Sequence, residues 1–516
     1  MRIGIDVGGT HTDAVLMEHA TVLASYKTPT TPSITGGIST ALRSMLQQTR
    51  VNTSEIHAVM IGTTHCLNAL IERRDLMPVG VVRLGLPSTS SFPPMTGWPS
   101  DLREAIGNHV YMAHGGYEFR GRPISALDPN ELRGIARDMR NKGIRSVAIS
   151  AVFSPINTDI ELKAAEIIRD ELPEARITLS HEIGRIGLIE RENAAIINAC
   201  LLDLAHDMMH SFQQALSELS IQAPIYISQN DGTLMNDEAA ERYPVLTFAC
   251  GPTNSMRGGA FLSGLTDAIV MDIGGTTSDA GLLLRGFPHE TSAPTEIGGV
   301  RNNLRMPNVY SIPLGGGSIV EYDGNEVRIG PRSVGYELTK RALVFGGDTL
   351  TATDIAVAAG LADLGNRNAV AHLPANLVKR AVDTIQMQIA YAVDSMRMSP
   401  EPVPAIIVGG GSILIQDRLP GITEIIIPDQ YAVANAIGAA IAQMGGETDR
   451  IFSFSQIPRE EALKEARQEA ISRAINAGAD PSTIRVTEVE EIPLSYVPGN
   501  TTRIRVKAVG DLGRVW

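Results

Sequence analysis

Two stretches far apart in the chain carry the same set of residue types suited to handling a phosphate. Residues 3–16 read IGIDVGGTHTDAVL and residues 269–282 read IVMDIGGTTSDAGL. At one constant offset Asp6 matches Asp272, Gly8-Gly9-Thr10 matches Gly274-Gly275-Thr276, and Asp13-Ala14 matches Asp279-Ala280. A Gly-Gly-Thr turn lets backbone N–H groups approach a phosphate without hindrance from a Cβ, and the Thr hydroxyl adds a donor. A carboxylate at the end of the preceding strand can hold Mg²⁺ through water or orient a nucleophile. Two such turns facing each other would grip a triphosphate from both sides. A third glycine-rich turn, Gly409-Gly410-Gly411-Ser412, follows an apolar run and would let adenine or ribose lie against bare backbone.

The elements that position these residues follow from the same pattern. Each copy opens with a short apolar run ending in Asp and becomes apolar again after the turn, which predicts a β-hairpin. A Rossmann or Walker loop would run from strand into helix, and its signature glycines and lysine are absent. The spacing is too long for a solenoid and indicates two related domains in tandem. Between the copies, strands are expected at 58–61, 79–83, 146–153 and 225–228, and helices at 35–48, 130–142 and 159–172. One long helix is expected over 190–218, and 86–121 reads as a loop-rich excursion. After the second copy come turn-rich strands over 285–332, helices at 353–361 and 377–396, strands at 405–408 and 425–427, and a small-residue helix at 432–444. A charged helix at 459–477 and two or three strands over 483–508 read as an appended tail.

Composition sets the outer bounds. With 43% hydrophobic and 20% charged residues among 516, the chain is an ordinary globular protein of about three domains. Its net charge of −13 argues against a nucleic-acid binder. Cys66, Cys200 and Cys250 are too scattered for a disulfide framework or a zinc cluster, and read as buried reduced thiols. A charged start and the absence of any apolar run near ~18 residues predict no signal peptide and no membrane span, hence a cytoplasmic protein.

The order of hairpin, second hairpin and adenosine turn resembles the actin, sugar-kinase and heat-shock-chaperone ATPases. More closely, the chain resembles the hydantoinase A/oxoprolinase family. IGIDVGGTHTDAVL, IGTTHCLNALIERR, LSHEIGRIGLIERENAAIINACL, QNDGTLMNDEAAERYPVLTFACGPTNSMRGGA, MDIGGTTSDAGLL and PLGGGSIV carry that likeness over about residues 1–445. It implies an α/β fold of two ribonuclease-H-like lobes flanking a nucleotide cleft, with α/β insertions and a small C-terminal α+β appendage. The corresponding domains are 1–265, 266–446 and 447–516. It also implies ATP and Mg²⁺, and ATP hydrolysis coupled to cleavage or carboxylation of a cyclic amide, imide or ketone through phosphorylation of the carbonyl oxygen, with hydrolysis of a cyclic amide or imide (hydantoin, 5-oxoproline or lactam) as the leading expectation. A B-type partner subunit belongs to this expectation, as does a homo-oligomer. A small-molecule kinase and an ATP-driven chaperone or reactivase of a partner enzyme are the alternatives.

Carried onto this sequence, the resemblance implies that Asp6 and Asp272 are the catalytic and Mg²⁺-binding carboxylates. Gly8, Gly9, Thr10 and Thr12 would hold one face of the phosphates, Gly274, Gly275, Thr276 and Thr277 the other, and Gly409, Gly410 and Gly411 the adenosine. Asp13 and Asp279 read equally as locks on their own hairpins. The chain departs from the family at His11, at Asn230-Asp231-Gly232 and at 308–313, where Asn308 and Tyr310 stand near an expected acidic residue and His. Larger members also run well beyond this length.

Other polar residues have competing readings. Gly62-Thr63-Thr64-His65 is either a phosphate or substrate loop or the start of a helix. His181-Glu182 and Glu190-Arg191-Glu192-Asn193 are either a substrate wall or helix-start electrostatics. Cys250 reads as a buried thiol, Gly315-Gly316-Gly317 as an anion nest or a plain turn, and Asp354 as a metal-positioning group or a helix-start acid. The charged helix at 459–477 reads as a solvated face.

Overall fold

The computed structural model describes residues 1–30, 34–49, 51–119, 121–291, 293–324, 326–495 and 499–513. The fold is mixed α/β, and the sequence repeat is a repeat of structure. Arg2–Val7 runs antiparallel to His11–Glu18 with Asp6 opposite Asp13. Ala268–Ile273 runs antiparallel to Ser278–Leu284 with Asp272 opposite Asp279. Each first strand also has a parallel neighbour, Ala58–Thr63 in one half and Val403–Val408 in the other. By register Gly62 corresponds to Val408, so Thr63-Thr64-His65 stands in the first half where Gly409-Gly410-Gly411 stands in the second. Ile3, Ile5, Ile269 and Met271 are fully buried, and each contributes about 1.5–3 kcal/mol by leaving water.

The first hairpin belongs to a nine-stranded sheet and the second to a six-stranded one. Between them the chain forms a separate parallel sheet, in the order His109–His114, Val79–Leu86, Ser146–Ala151 and Arg176–Leu179. The stretch expected as a loop excursion thus contains the helix Ser100–Ala105 and an edge strand of this sheet. The long helix expected over 190–218 is divided at Leu201 into Leu188–Cys200 and Leu202–Glu218.

The tail is bonded into the first sheet rather than standing apart. Gln443–Ser453 pairs in parallel with Thr233–Asn236 and antiparallel with Thr501–Gly510, which pairs in turn with Arg485–Pro493. The small-residue helix covers only Ala434–Ala440, and Gly445-Gly446 lies inside a strand that crosses the boundary expected at 446. These glycines do not break the chain. A Cβ at Gly446 would overlap Ala470 and Ala474 of the helix Arg459–Ala477. That helix buries Ala462, Ala466, Ala470 and Ala474 on one face and leaves its charged residues outward.

Two helices join the sheets. Cys250–Ser263 packs mainly on the sheet of the second hairpin, and Ala434–Ala440 on the sheet of the first. They cross backbone to backbone: a Cβ at Gly258 would overlap the carbonyl of Ala434, and one at Gly438 the carbonyl of Asn254. Gly438→Ala is therefore expected to cost about 3 kcal/mol, the upper end of ordinary overpacking. Gly134→Ala, in the open helix Pro129–Asn141, should instead stabilise by about 0.5–1 kcal/mol. Urea midpoints of the two variants check the contrast.

Candidate active site

Both hairpin turns and the third glycine turn open on one cavity of about 290 Å³. Asp6, Gly8, Thr10, Asp272, Gly274, Gly275, Gly409, Gly410 and Gly411 line it; Gly9, Thr12, Thr276 and Thr277 lie outside the lining. Thr12 is buried in its strand, its Oγ1 at 3.5 Å from that of Thr30. The two turns close alike: Gly8 N donates to His11 O at 3.0 Å and Gly274 N to Thr277 O at 2.9 Å. The N–H groups of Gly9, Thr10, Gly275, Thr276 and Gly410 enter none of the hydrogen bonds among the described residues. Gly409 has φ +86°, and a Cβ there would overlap Asp272 Oδ1, so the turn requires glycine.

The carboxylates are crowded and buried. Asp6 Oδ2 accepts from Asn435 Nδ2 at 2.9 Å, while Oδ1 is buried without a partner. The same amide donates to Asp13 Oδ2 at 2.9 Å, which also accepts from Lys27 Nζ at 2.8 Å. Ser255 Oγ donates to Asp272 Oδ2 at 2.5 Å. Burial, then the charges of Asp13 and Asp272, push the pKa of Asp6 up to about 7. Asp272 is also raised, chiefly by burial against the opposing bond from Ser255. Burial raises Asp279 to about 6 although Ser311 Oγ donates to it. Asp13 and Asp279 therefore bind side chains across the strands, Lys27 and Ser311 in register, rather than their own turns.

Lys27, Asn435, Ser255 and Thr353 line the cavity although sequence patterning did not single them out as site residues; Gly316, from the stretch read as an anion nest or a plain turn, lines it too. Lys27 was legible in principle, since it faces Asp13 across a strand pair of period two. Asn435 is a polar interruption of an apolar stretch, and Ser255 stands in the polar run Thr253-Asn254-Ser255. Their roles depend on the helix crossing. Leu338, Phe345, Leu364, Ile413 and Tyr431 give part of the lining an apolar character.

The competing readings now separate. His65 lies outside this cavity; its N–H donates to Thr63 Oγ1 at 3.2 Å at the start of His65–Glu72. Cys250 is buried against Thr63, donating to its carbonyl at 3.2 Å, and burial pushes its thiol up. Asp354 completes a capping box with Thr351 and accepts from Val344 N at 2.8 Å. Gly316 and Gly317 donate to the carbonyls of Gly274 and Gly275 at 3.0 and 2.7 Å, bracing the second turn. Tyr310 packs edge-on to Tyr391, with centroids 5.8 Å apart, outside the cavity. His11 lines the cavity, and burial favours its neutral form. Glu192 is spent on buried Arg83 and on Ser150 Oγ at 2.6 Å. His181 pairs with Glu161 at 2.6 Å, and Glu182 with Arg242 at 2.6 Å. Asp231 pairs with Lys507 at 2.8 Å and ties the tail to the first half.

Comparison with known proteins fits this geometry. The hydantoinase/oxoprolinase N-terminal region matches residues 2–172, and the hydantoinase/oxoprolinase domain matches residues 191–366. The chain belongs to the hydantoinase/oxoprolinase family. It is 27% identical over 390 residues to caprolactamase subunit alpha of Pseudomonas jessenii, covering 70% of this chain and 55% of that protein. It is 24% identical over 417 residues to 5-oxoprolinase of Saccharomyces cerevisiae, covering 69% and 31%. The chain spans about half the length of the curated relatives it matches. The crystal structure of ATP-dependent caprolactamase from Pseudomonas jessenii aligns with a TM-score of 0.79 at 21% identity, over 100% of this chain and 88% of that one. Nucleotide-free acetone carboxylase aligns at 0.70 and 16% identity, over 100% and 88%. Both share the fold.

The raised pKa of Asp6 links stability to pH. An unfolded Asp titrates near ~3.9, so the native state binds the extra proton between there and about 7. Stability from this group is present below pH 4 and is lost as pH rises through 7. Asp6→Asn should therefore be more stable than wild type at pH 8 by about 2–4 kcal/mol, with the gain fading toward pH 4. Urea unfolding at pH 4, 6 and 8 measures it.

Proposed function

We propose that the chain is an ATP-dependent hydrolase of a cyclic amide or imide, acting as the A-type subunit beside a B-type partner. The observation that carries this reading is the convergence of Asp6 and Asp272, with unspent turn N–H groups, on one cavity. The names of the relatives, a caprolactamase subunit and a 5-oxoprolinase, favour a ring amide as substrate. In this reading residues 1–265 and 266–446 are two actin-like lobes flanking a nucleotide cleft, and 447–516 extends the first lobe's sheet. Three free buried thiols and the absence, among the described residues, of a helix long and apolar enough to cross a membrane accord with a cytoplasmic setting.

The donor set fits Mg²⁺. Asp6 Oδ1 is buried and unpartnered, and hard carboxylate oxygens plus phosphates suit this ion. Asp6 and Asp272 would hold the ion, which would offset negative charge on the transferred phosphoryl group. The turns at Gly8–Thr10 and Gly274–Thr276 would donate to phosphate oxygens, and Gly409–Gly411 would flank the adenosine. Lys27 and Asn435 keep Asp13 and Asp6 in place.

In the reaction the ring carbonyl oxygen attacks the γ-phosphorus and ADP leaves. One water then adds to the activated carbon, the C–N bond breaks with a proton passing to the leaving nitrogen to give a ring-opened acyl phosphate, and a second water hydrolyses that to the carboxylate and phosphate. The test is ADP and phosphate release from Mg·ATP with hydantoin, 5-oxoproline and lactams, with the partner subunit present. Ring-dependent release of equal ADP and phosphate is expected, and Asp6→Asn or Asp272→Asn should lower it about 10²–10³-fold. A stable phosphorylated product would identify a kinase instead. Turnover stimulated only by a partner protein would identify a chaperone or reactivase.

A further inference from the structure

The lining of the hairpin cavity holds more acid than base. Among the described residues, Asp6, Asp13 and Asp272 share it with one lysine, Lys27, and one imidazole, that of His11. Lys27 is already committed, donating to Asp13 Oδ2 at 2.8 Å and to the Ala432 carbonyl at 3.2 Å. His11 is not. Its Nδ1 lies 3.3 Å from Thr10 Oγ1, beside the turn of the first hairpin. Its Nε2 makes no hydrogen bond among the described residues and is not one of their buried orphaned atoms, so it keeps open surface. A Thr10 hydroxyl donating to Nδ1 leaves the ring hydrogen on Nε2, free to be donated.

The ring stands at the acidic end of the cavity. Burial, then the charge of Lys27, holds it neutral, and Asp13 opposes them. Lys27 and Asn435 both donate to Asp13, and the same Asn435 amide donates to Asp6. Asp272 lines the same cavity from the second hairpin. Tyr431, the remaining titratable group of the lining, belongs to the third turn, where its carbonyl accepts from Gly409 N at 3.0 Å. His11 is thus grouped with the carboxylates that would meet the reacting phosphoryl group, not with the turn that would meet the adenosine.

We propose that His11 is the residue that distinguishes a nucleoside triphosphate from a diphosphate, its Nε2–H donating to the terminal phosphoryl group. The inference rests on the nucleotide reading of this cavity and assigns it a side chain that the turn N–H groups do not replace. A terminal phosphoryl group brings negative charge to a ring that is neutral without it, and an opposite charge favours the imidazolium. The ring therefore takes up a proton as the triphosphate binds, and the hydrogen bond becomes charge-assisted. That bond is lost once the phosphoryl group has been transferred and ADP remains.

The experiment is isothermal titration of the full chain with Mg·AMP-PNP and with Mg·ADP at pH 7, in two buffers of different ionisation enthalpy. His11→Phe should weaken Mg·AMP-PNP about tenfold or more and Mg·ADP less than about twofold. His11→Gln keeps a neutral donor and should recover part of the lost affinity. With AMP-PNP, wild type should take up about half a proton more than either variant, and with ADP no more than they do. Asp6 and the nucleotide exchange protons as well, so the difference between proteins isolates the ring. Equal weakening of both nucleotides, or the same proton uptake in all three proteins, overturns the assignment and leaves the nucleotide reading standing. No binding of either nucleotide to wild type overturns both.

Discussion

The contact on which the site depends is the crossing of Cys250–Ser263 over Ala434–Ala440. It is reciprocal: Gly258 sits on the carbonyl of Ala434, and Gly438 sits on the carbonyl of Asn254. One residue beyond each of those carbonyls stands a polar side chain that reaches an aspartate. Ser255 binds Asp272, and Asn435 binds Asp6. Each helix closes one half of the chain in sequence but serves the hairpin of the other half. Side chains at the crossing would separate the helices and move both donors off their carboxylates. The absence of two Cβ atoms is thus transmitted to the geometry of the acidic centre.

That centre is held against its own electrostatics. Asp6, Asp13 and Asp272 line one cavity, and burial and mutual repulsion both oppose ionisation of Asp6. Lys27 and the two donors of Asn435 offset part of this, yet Asp6 Oδ1 keeps no partner. Buried polar atoms are nearly always bonded, and an exception marks a place where function outweighs stability. A divalent cation with its phosphates would relieve both the repulsion and the orphaned oxygen.

The hairpins were legible because their information is local and written twice. Asp, Gly-Gly and Thr at fixed spacing specify a turn, and the register observed, Asp6 with Asp13 and Asp272 with Asp279, follows from that spacing. The Gly409–Gly411 turn was legible for the same reason. What escaped is tertiary. Asn435 and Ser255 gain their roles only through the helix crossing, which no local pattern encodes. The helix expected over 432–444 and the boundary expected at 446 missed the strand there, because the close packing of Gly445 against Thr233 and of Gly446 against Ala470 leaves no mark in neighbouring residues. For the same reason the tail read as separate, although its strands continue the first sheet. Its anchor, Lys507 with Asp231, joins residues far apart in the sequence. The ionic residues of 179–201 read as a substrate wall or helix-start charges. Arg83, the partner of Glu192, lies on a strand of the inserted sheet and could not be assigned in advance.

The central claim is that two distant aspartates act on one polyphosphate. A double-mutant cycle on the affinity for Mg·AMP-PNP, using Asp6→Asn, Asp272→Asn and the pair, tests it most directly. A shared ligand predicts that each single change weakens binding and that the two effects are non-additive by about 1 kcal/mol or more. Strictly additive effects, or a full affinity retained by either single variant, would contradict the account.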